Sequence, residues 1–228
     1  MPRVLVVADE VVHGLWTEQV RAFPADLVLG AGDLPFDYLE FLSSALDCPC
    51  VFVPGNHDAD LSGYTVSGGL SMQGGFPEHW PGPVGAVNAD RRVVDVGGLR
   101  IAGLGGSVRY NYGPNQWTER QQARRSRRMV REASRLARRD GRGVDILLTH
   151  SPPRGTGDRE DPPHRGFECL HRTVQRLRPS VLLHGHIHPH GERIGEHRLG
   201  ETRVINVVGC RLFEVEHGQQ AEEVHHAW

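Results

Sequence analysis

Five residues able to bind a metal ion are spread widely along the 228-residue chain, and each follows a short apolar run. Val4 to Ala8 runs into Asp9, and Leu27 to Leu29 runs into Gly30-Ala31-Gly32-Asp33. Cys50 to Val53 leads to Pro54-Gly55-Asn56-His57-Asp58, Val144 to Leu148 leads to His150, and Ser180 to Leu183 leads to Gly185-His186. β-Branched runs that close on polar turns predict strands feeding functional loops. Open α/β sheets gather ligands at the carboxyl edge of their strands. Asp9, Asp33, Asn56, His150 and His186 are therefore expected to meet in one crevice. His188 stands two residues past His186, and in an extended segment that keeps its ring on the same side. A set mixing carboxylate, amide and imidazole suits Mn, Fe or Zn better than Mg or Ca alone.

The elements needed to hold these residues can be read between them. Leu15 to Phe23 and Phe36 to Ala45 are expected helices, and connections of that kind imply parallel neighbouring strands with helices outside. Arg91 to Val96 and Leu99 to Leu104 flank Gly97-Gly98 as a hairpin, which brings in antiparallel pairing. Trp117 to Arg139 is the longest expected helix. Val130, Ala133 and Ala137 recur there at helical spacing beside Met129 and Leu136, with arginines on the other face. Arg203 to Val208 and Leu212 to Val215 supply late strands, and no internal repeat interrupts the order.

Composition removes several alternatives. Hydrophobic residues make up 38% of the chain and charged ones 24%, enough apolar content for a packed core. A single domain spanning 1–228 is expected. All 26 basic residues are arginines, which excludes a Schiff-base lysine and a phosphate loop ending in lysine. A net charge of −2 and a pI near 6.7 offer no global attraction to nucleic acid or to an anionic membrane. The apolar start is too short for a secretory signal or a membrane span, so a cytoplasmic location with no membrane partner is expected. Among the four cysteines only Cys48 and Cys50 are closely spaced, no zinc-ribbon pattern results, and free thiols are expected.

Gly32-Asp33, Gly55-Asn56-His57-Asp58, His150 behind its apolar strand, and Gly185-His186-Ile187-His188 appear in an order that resembles the calcineurin-like metallophosphoesterases. The match runs from Asp9 to His188. The resemblance implies an α/β fold, a four-layer α/β/β/α sandwich of two mixed β-sheets flanked by helices. It implies two divalent transition-metal ions, of Mn, Fe or Zn type, with Asp33 bridging them. Asn56, His150 and His186 would complete one ion, while Asp9 and His188 would serve the other. His57 would be the histidine that binds no metal but protonates or orients the leaving oxygen, with Asp58 as a partner for its other ring nitrogen. A hydroxide shared by the cations would attack the phosphorus, and the substrate would be a small phosphorylated compound, a phosphodiester or a broader set of phosphoesters. A nuclease acting on DNA or RNA is the second enzyme reading, with nucleic acid the less favoured partner. A binding scaffold of the same fold, like a retromer subunit that resembles this family, is the reading without catalysis. Oligomeric state is left open.

One departure stands out. The family usually opens with Asp-x-His, whereas this chain has Asp9-Glu10-Val11, and valine cannot ligate a metal. The first ion then keeps Asp9, Asp33 and His188 with solvent, unless Glu10 or His13 moves in; water-filled open coordination is the favoured arrangement. His184 and His190 are expected as core or supporting imidazoles, and His225 and His226 as solvated tail residues. The arginines between Arg124 and Arg139 are read as a solvated helix face rather than a nucleic-acid grip, because few aromatics are interleaved. Two loops are expected at the rim. Gly105 to Gln116 carries Arg109, Asn111, Tyr112 and Asn115, and Ser151 to Phe167 carries His164 and Arg165 as phosphate contacts.

Overall fold

Apolar runs without polar alternation need a partner on both faces. A computed structural model of the chain describes residues 1–67, 70–189, 191 and 196–224 and supplies those partners. In chain order come β1 (Arg3–Ala8), β2 (Leu27–Gly30), α1 (Phe36–Leu46), β3 (Cys50–Phe52), β4 (Tyr64–Ser67), β5 (Leu70–Gln73), β6 (Phe76–Pro77), β7 (Val87–Asn88), β8 (Val93–Val96) and β9 (Leu99–Leu104). There follow β10 (Ser107–Val108), β11 (Gln116–Trp117), α2 (Glu119–Asp140), β12 (Ile146–Thr149), α3 (Cys169–Leu177), β13 (Val181–His184), β14 (His197–Leu199), β15 (Thr202–Asn206), β16 (Gly209–Glu214) and β17 (Glu222–Val224).

Twelve of the strands form two mixed sheets of six, ordered β17-β16-β1-β2-β3-β7 and β14-β15-β13-β12-β9-β8. The central strands run parallel, while β16 and β17 in one sheet and β8 and β14 in the other pair antiparallel. Period-two side-chain alternation then distributes each run between two cores. In β1, Val4, Val6 and Ala8 face a core shared with Leu27, Leu29, Ile146, Leu148, Val181 and Leu183, so this core lies between the sheets. Leu5 and Val7 turn the other way, to a cluster with Tyr38, Leu39 and Leu42 of α1. Leu147 and Leu182 turn outward in the second sheet, onto Met129 and Ala133 of α2 and Leu170 and Val174 of α3. Three cores separate four layers, and the molecule is an α/β/β/α sandwich.

Local chemistry sets the helix ends. Thr118 and Gln121 close α2 with a reciprocal capping box, and Gly141 ends it in the left-handed region with φ 77°. The carboxylate of Glu119 then accepts the N–H groups of Glu168 at 3.1 Å and Cys169 at 2.7 Å, fastening the start of α3 to the start of α2. Gly97 and Gly98, with φ 60° and 79°, make the two-residue turn between β8 and β9 that their sequence predicts.

Other expectations shift. Leu15 to Phe23 is not an α-helix but two 3₁₀ turns, His13–Leu15 and Glu18–Ala22. Its apolar residues are too sparse for a continuous face, so Leu15 and Val20 alone are buried. Helix α3 and the small sheet β4-β5-β6 are additions to the elements expected from sequence. No helix among the described residues is long and apolar enough to cross a membrane. His190, His225 and His226 lie outside the described residues.

Candidate metal centre

The parallel strands of both sheets end at one edge, and the loops there bring the sequence-predicted residues together. Asp33, His150 and His186 each offer a ligand atom within 4.8 Å of the other two. The ring of His150 is fully buried. Its Nδ1 lies 2.8 Å from the carbonyl oxygen of Ala31, which can only accept, so Nδ1 carries the hydrogen. Its Nε2 faces Asn56 Oδ1 at 3.1 Å and Asp33 Oδ2 at 3.2 Å. His186 repeats the logic with its nitrogens exchanged: Nε2 donates to the carbonyl of Pro163 at 2.8 Å, leaving the Nδ1 lone pair available. The two rings stand 4.8 Å apart between centroids.

Charge is concentrated here. Burial opposes ionisation of Asp33, but the neighbouring His150 outweighs it and holds the carboxyl down at about 2. Burial likewise disfavours the His150 imidazolium, yet Asp33 and Asp9 carry it up to about 9. Burial pushes the Asp9 carboxyl up and His186 down to about 3. A divalent ion suits this set of carboxylates and imidazoles, because it offers positive charge to all of them at once.

The backbone is bent to achieve this. Asp9, Asp33 and His186 are non-glycine residues in the left-handed region, with φ 59°, 56° and 69°. Each such residue costs on the order of 1–3 kcal/mol and persists only where its surroundings over-determine it. Here the surroundings are the other site residues. His57 N–H donates to Asp33 Oδ1 at 2.8 Å, and His186 N–H donates to Asp9 Oδ2 at 2.9 Å. Asp58 accepts from the N–H groups of Asp33 at 3.0 Å and Gly55 at 2.7 Å. Two glycines leave the necessary room, because a Cβ on Gly55 would overlap the carboxylate of Asp33, and one on Gly185 would overlap that of Asp9.

A second group stands beside this cluster. The carboxylate of Asp9 is buried, and its Oδ1 lies 3.9 Å from His188 Nε2. His188 Nδ1 meets Glu10 Oε1 at 3.1 Å. Glu10 therefore engages the ring of His188. Val11 packs into the apolar cluster around α1, and His13 is exposed.

The residues expected near the rim have partners of their own. Asp58 does not serve the His57 ring, because its carboxylate is buried and held by backbone N–H groups; the imidazole of His57 is exposed. Asn115 donates its amide to the carbonyls of Gly55, Asp58 and Ala59 and so fastens the Asn56-His57 loop from behind. Arg109 reaches Gln116 and Gln121, and Asn111 is tied to Gln116 within its own loop, while Tyr112 is fully exposed. Arg165 donates to the carbonyl of Glu160, and His164 is paired with Asp161 and sits 5.5 Å from the His186 ring. His184 is a buried supporting residue, its Nδ1 2.9 Å from the Gly185 carbonyl, and burial pushes it down to about 4. Tyr110 is a site neighbour that sequence reasoning misses: its hydroxyl accepts from Asn56 Nδ2 at 3.2 Å. Nothing but its place in the Gly105–Gln116 loop marks it.

With fold and site in view, comparison with known proteins supplies the class. The family model for calcineurin-like phosphoesterases matches residues 3–190, and the chain belongs to that family. A 70-residue stretch is 41% identical to UPF0046 protein T07D4.2 of Caenorhabditis elegans, covering 30% of this chain and 17% of that protein. An uncharacterized protein of Haemophilus influenzae is 27% identical over 177 residues, 69% of this chain and 70% of its own. The structure of TT1561 from Thermus thermophilus superposes with a TM-score of 0.60 at 15% identity, covering 96% of this chain and 98% of that one, a likeness of fold. Membership supports hydrolysis of phosphoesters with divalent metals as the general chemistry.

Proposed function

We propose that the chain hydrolyses phosphodiesters, or a broader set of small phosphorylated compounds, as a single cytoplasmic domain working with two divalent ions of Mn, Fe or Zn type. The observation that carries this reading is the pair of imidazoles, His150 and His186. Each is locked by a backbone carbonyl so that its free nitrogen belongs to the same cluster as Asp33. Bound ions would neutralise phosphoryl oxygens and lower the pKa of water from about 15.7 towards ~7. In this reading Asn56, His150 and His186 would hold one ion, Asp9 and His188 would hold the other, and Asp33 would serve both. No side chain is needed as nucleophile. His57 projects into solvent from a loop whose backbone is anchored on Asp33, where its ring can give a proton to the departing oxygen.

The test is turnover of a generic aryl phosphodiester by purified protein supplied in turn with Mn, Fe, Zn, Co and Ni, paired with elemental analysis. Two ions per chain and turnover with at least one metal are expected. Inactivity with all five would favour the scaffold reading, which Val11 supports by its inability to ligate.

A further inference from the structure

Helix α2 carries nine arginines against three acids, in a chain whose net charge is −2. Their placement is more telling than their number. At about 100° per residue, every arginine of α2 except Arg125 falls within an arc of roughly 120° running the helix's length of about 33 Å. No acid of the helix falls inside that arc. Glu119 is committed to the start of α3, and Asp140 to Arg100 at 2.8 Å. Of the arginines on the arc, only Arg139 forms an ion pair among the described residues, with Asp140 at 3.4 Å. Arginines three and four residues apart repel, and this helix offers no interleaved glutamates on the arc to offset the repulsion. An ordinary solvated face mixes both signs.

The stripe also reaches a cleft beside the loop that carries Asn56. Arg128 lines a cleft of about 380 Å³ together with Arg91, Arg92, Trp117, Tyr64 and Pro54, and Pro54 stands two residues before Asn56. Of the cleft's acids, Asp90 is neutralised by Arg125 at 2.5 Å, and Asp60 accepts from Ser62 N–H at 2.8 Å. Glu132 remains beside the three arginines. Arg91 is held at φ 61°, a strained backbone for an arginine. The buried indole N–H of Trp117 has no acceptor, while the Arg125 guanidinium covers its ring at 4.1 Å. Cationic groups that track a phosphate backbone hold nucleic acid without sequence readout, and a cleft of this size admits one strand rather than a duplex.

We propose that the arginine face of α2 and the cleft it enters hold the phosphate backbone of a single-stranded nucleic acid, so that the ester delivered to the metal cluster is an internucleotide phosphodiester. That identity of the ester rests on the phosphoesterase reading; the binding surface stands apart from it. The planar fork of each guanidinium matches the oxygens of a phosphate, and eight of them along one face can follow several phosphates in succession.

Fluorescence anisotropy of a labelled single-stranded oligonucleotide, measured in chelator, tests the surface without turnover. Wild-type protein is expected to bind in a salt-dependent way. Replacing Arg124, Arg128 and Arg131 together by Gln should weaken binding at least tenfold and flatten the slope of log K against log salt by about 2, since each phosphate that an arginine neutralises contributes ~0.7. The matching Lys triple should restore binding, which separates charge from folding damage. Equal affinity of the Gln triple and wild type would overturn the proposal. So would tighter binding of a duplex, or binding to phosphatidylglycerol vesicles without binding to the single strand. Arginine-dependent binding in a protein that fails to cleave the aryl diester with any metal would sink the phosphoesterase reading and leave the surface standing.

Discussion

The two halves of the candidate centre are built to different standards. The half formed by Asn56, His150 and His186 is buried, and each imidazole has its tautomer set by a carbonyl. The half formed by Asp9 and His188 is open on one side: His188 is partly exposed, its Nε2 is still 3.9 Å from Asp9, and Glu10 holds its other nitrogen. Where the family usually has a second imidazole, Val11 is drawn into the apolar cluster instead. Pre-organisation here comes from backbone acceptors more than from ligand identity. A ring oriented from behind by a backbone carbonyl needs little reorganisation on binding, whereas a partly exposed ring held through an exposed glutamate needs more.

Asp33 belongs to both halves in the proposed centre, so its removal is the most damaging test of their separateness. Asp33→Ala should lose both ions and reduce turnover to background. Elemental analysis beside the aryl diester assay checks it, and a variant that keeps one ion per chain would show that the halves do not share this carboxylate. Gly55→Ala attacks the same carboxylate from the backbone. The added methyl must displace the Asp33 side chain or the loop. A cost of about 1–3 kcal/mol is expected for overpacking of this kind, read as a fall in Tm of about 2–4 °C per kcal/mol at this chain length. Ion content should fall with it, and an unchanged Tm with full ion content would mean the loop relaxes freely.

How much of this is legible in the sequence depends on whether side chains or backbone do the work. Strand ends can be read because runs such as Val4 to Ala8 and Val181 to Leu183 are buried on both faces and therefore uninterrupted. That places Asp9, Asp33, Asn56, His150 and His186 at one edge. Carbonyl groups carry no sequence signal, so the locks from Ala31 and Pro163 are invisible, as is the left-handed backbone at Asp9, Asp33 and His186. Asp58 misleads because its neighbour in sequence is His57, whereas its carboxylate turns inward to backbone N–H groups. The segment Leu15 to Phe23 misleads because scattered apolar residues mimic a helical face when counted without regard to continuity.

His57→Asn separates chemistry from metal binding. The loop is anchored through the His57 backbone N–H, which asparagine retains, so ion content should match wild type. Turnover should fall by about 10²–10⁴ for esters with poor leaving groups, and much less for nitrophenolate, which needs no proton. Steady-state rates across a leaving-group series decide it, and a uniform loss would remove the acid role.

The subtlest substitution discriminates best between the two halves. Glu10→Gln keeps the size of the side chain while removing its charge, so the His188 ring loses an anionic acceptor and with it some of its orientation and basicity. Outer partners of this kind are worth about 10–100-fold in metal affinity. The loss should fall on the Asp9–His188 ion alone, because the other half draws its orientation from Ala31 and Pro163, which the substitution does not touch. Timed dilution into chelator followed by metal analysis should show one ion leaving faster than in wild type and the other unchanged. If both leave faster together, the halves are coupled through Asp33 more strongly than their separate supports imply. If Glu10→Gln changes neither, the glutamate is not what holds His188 in place.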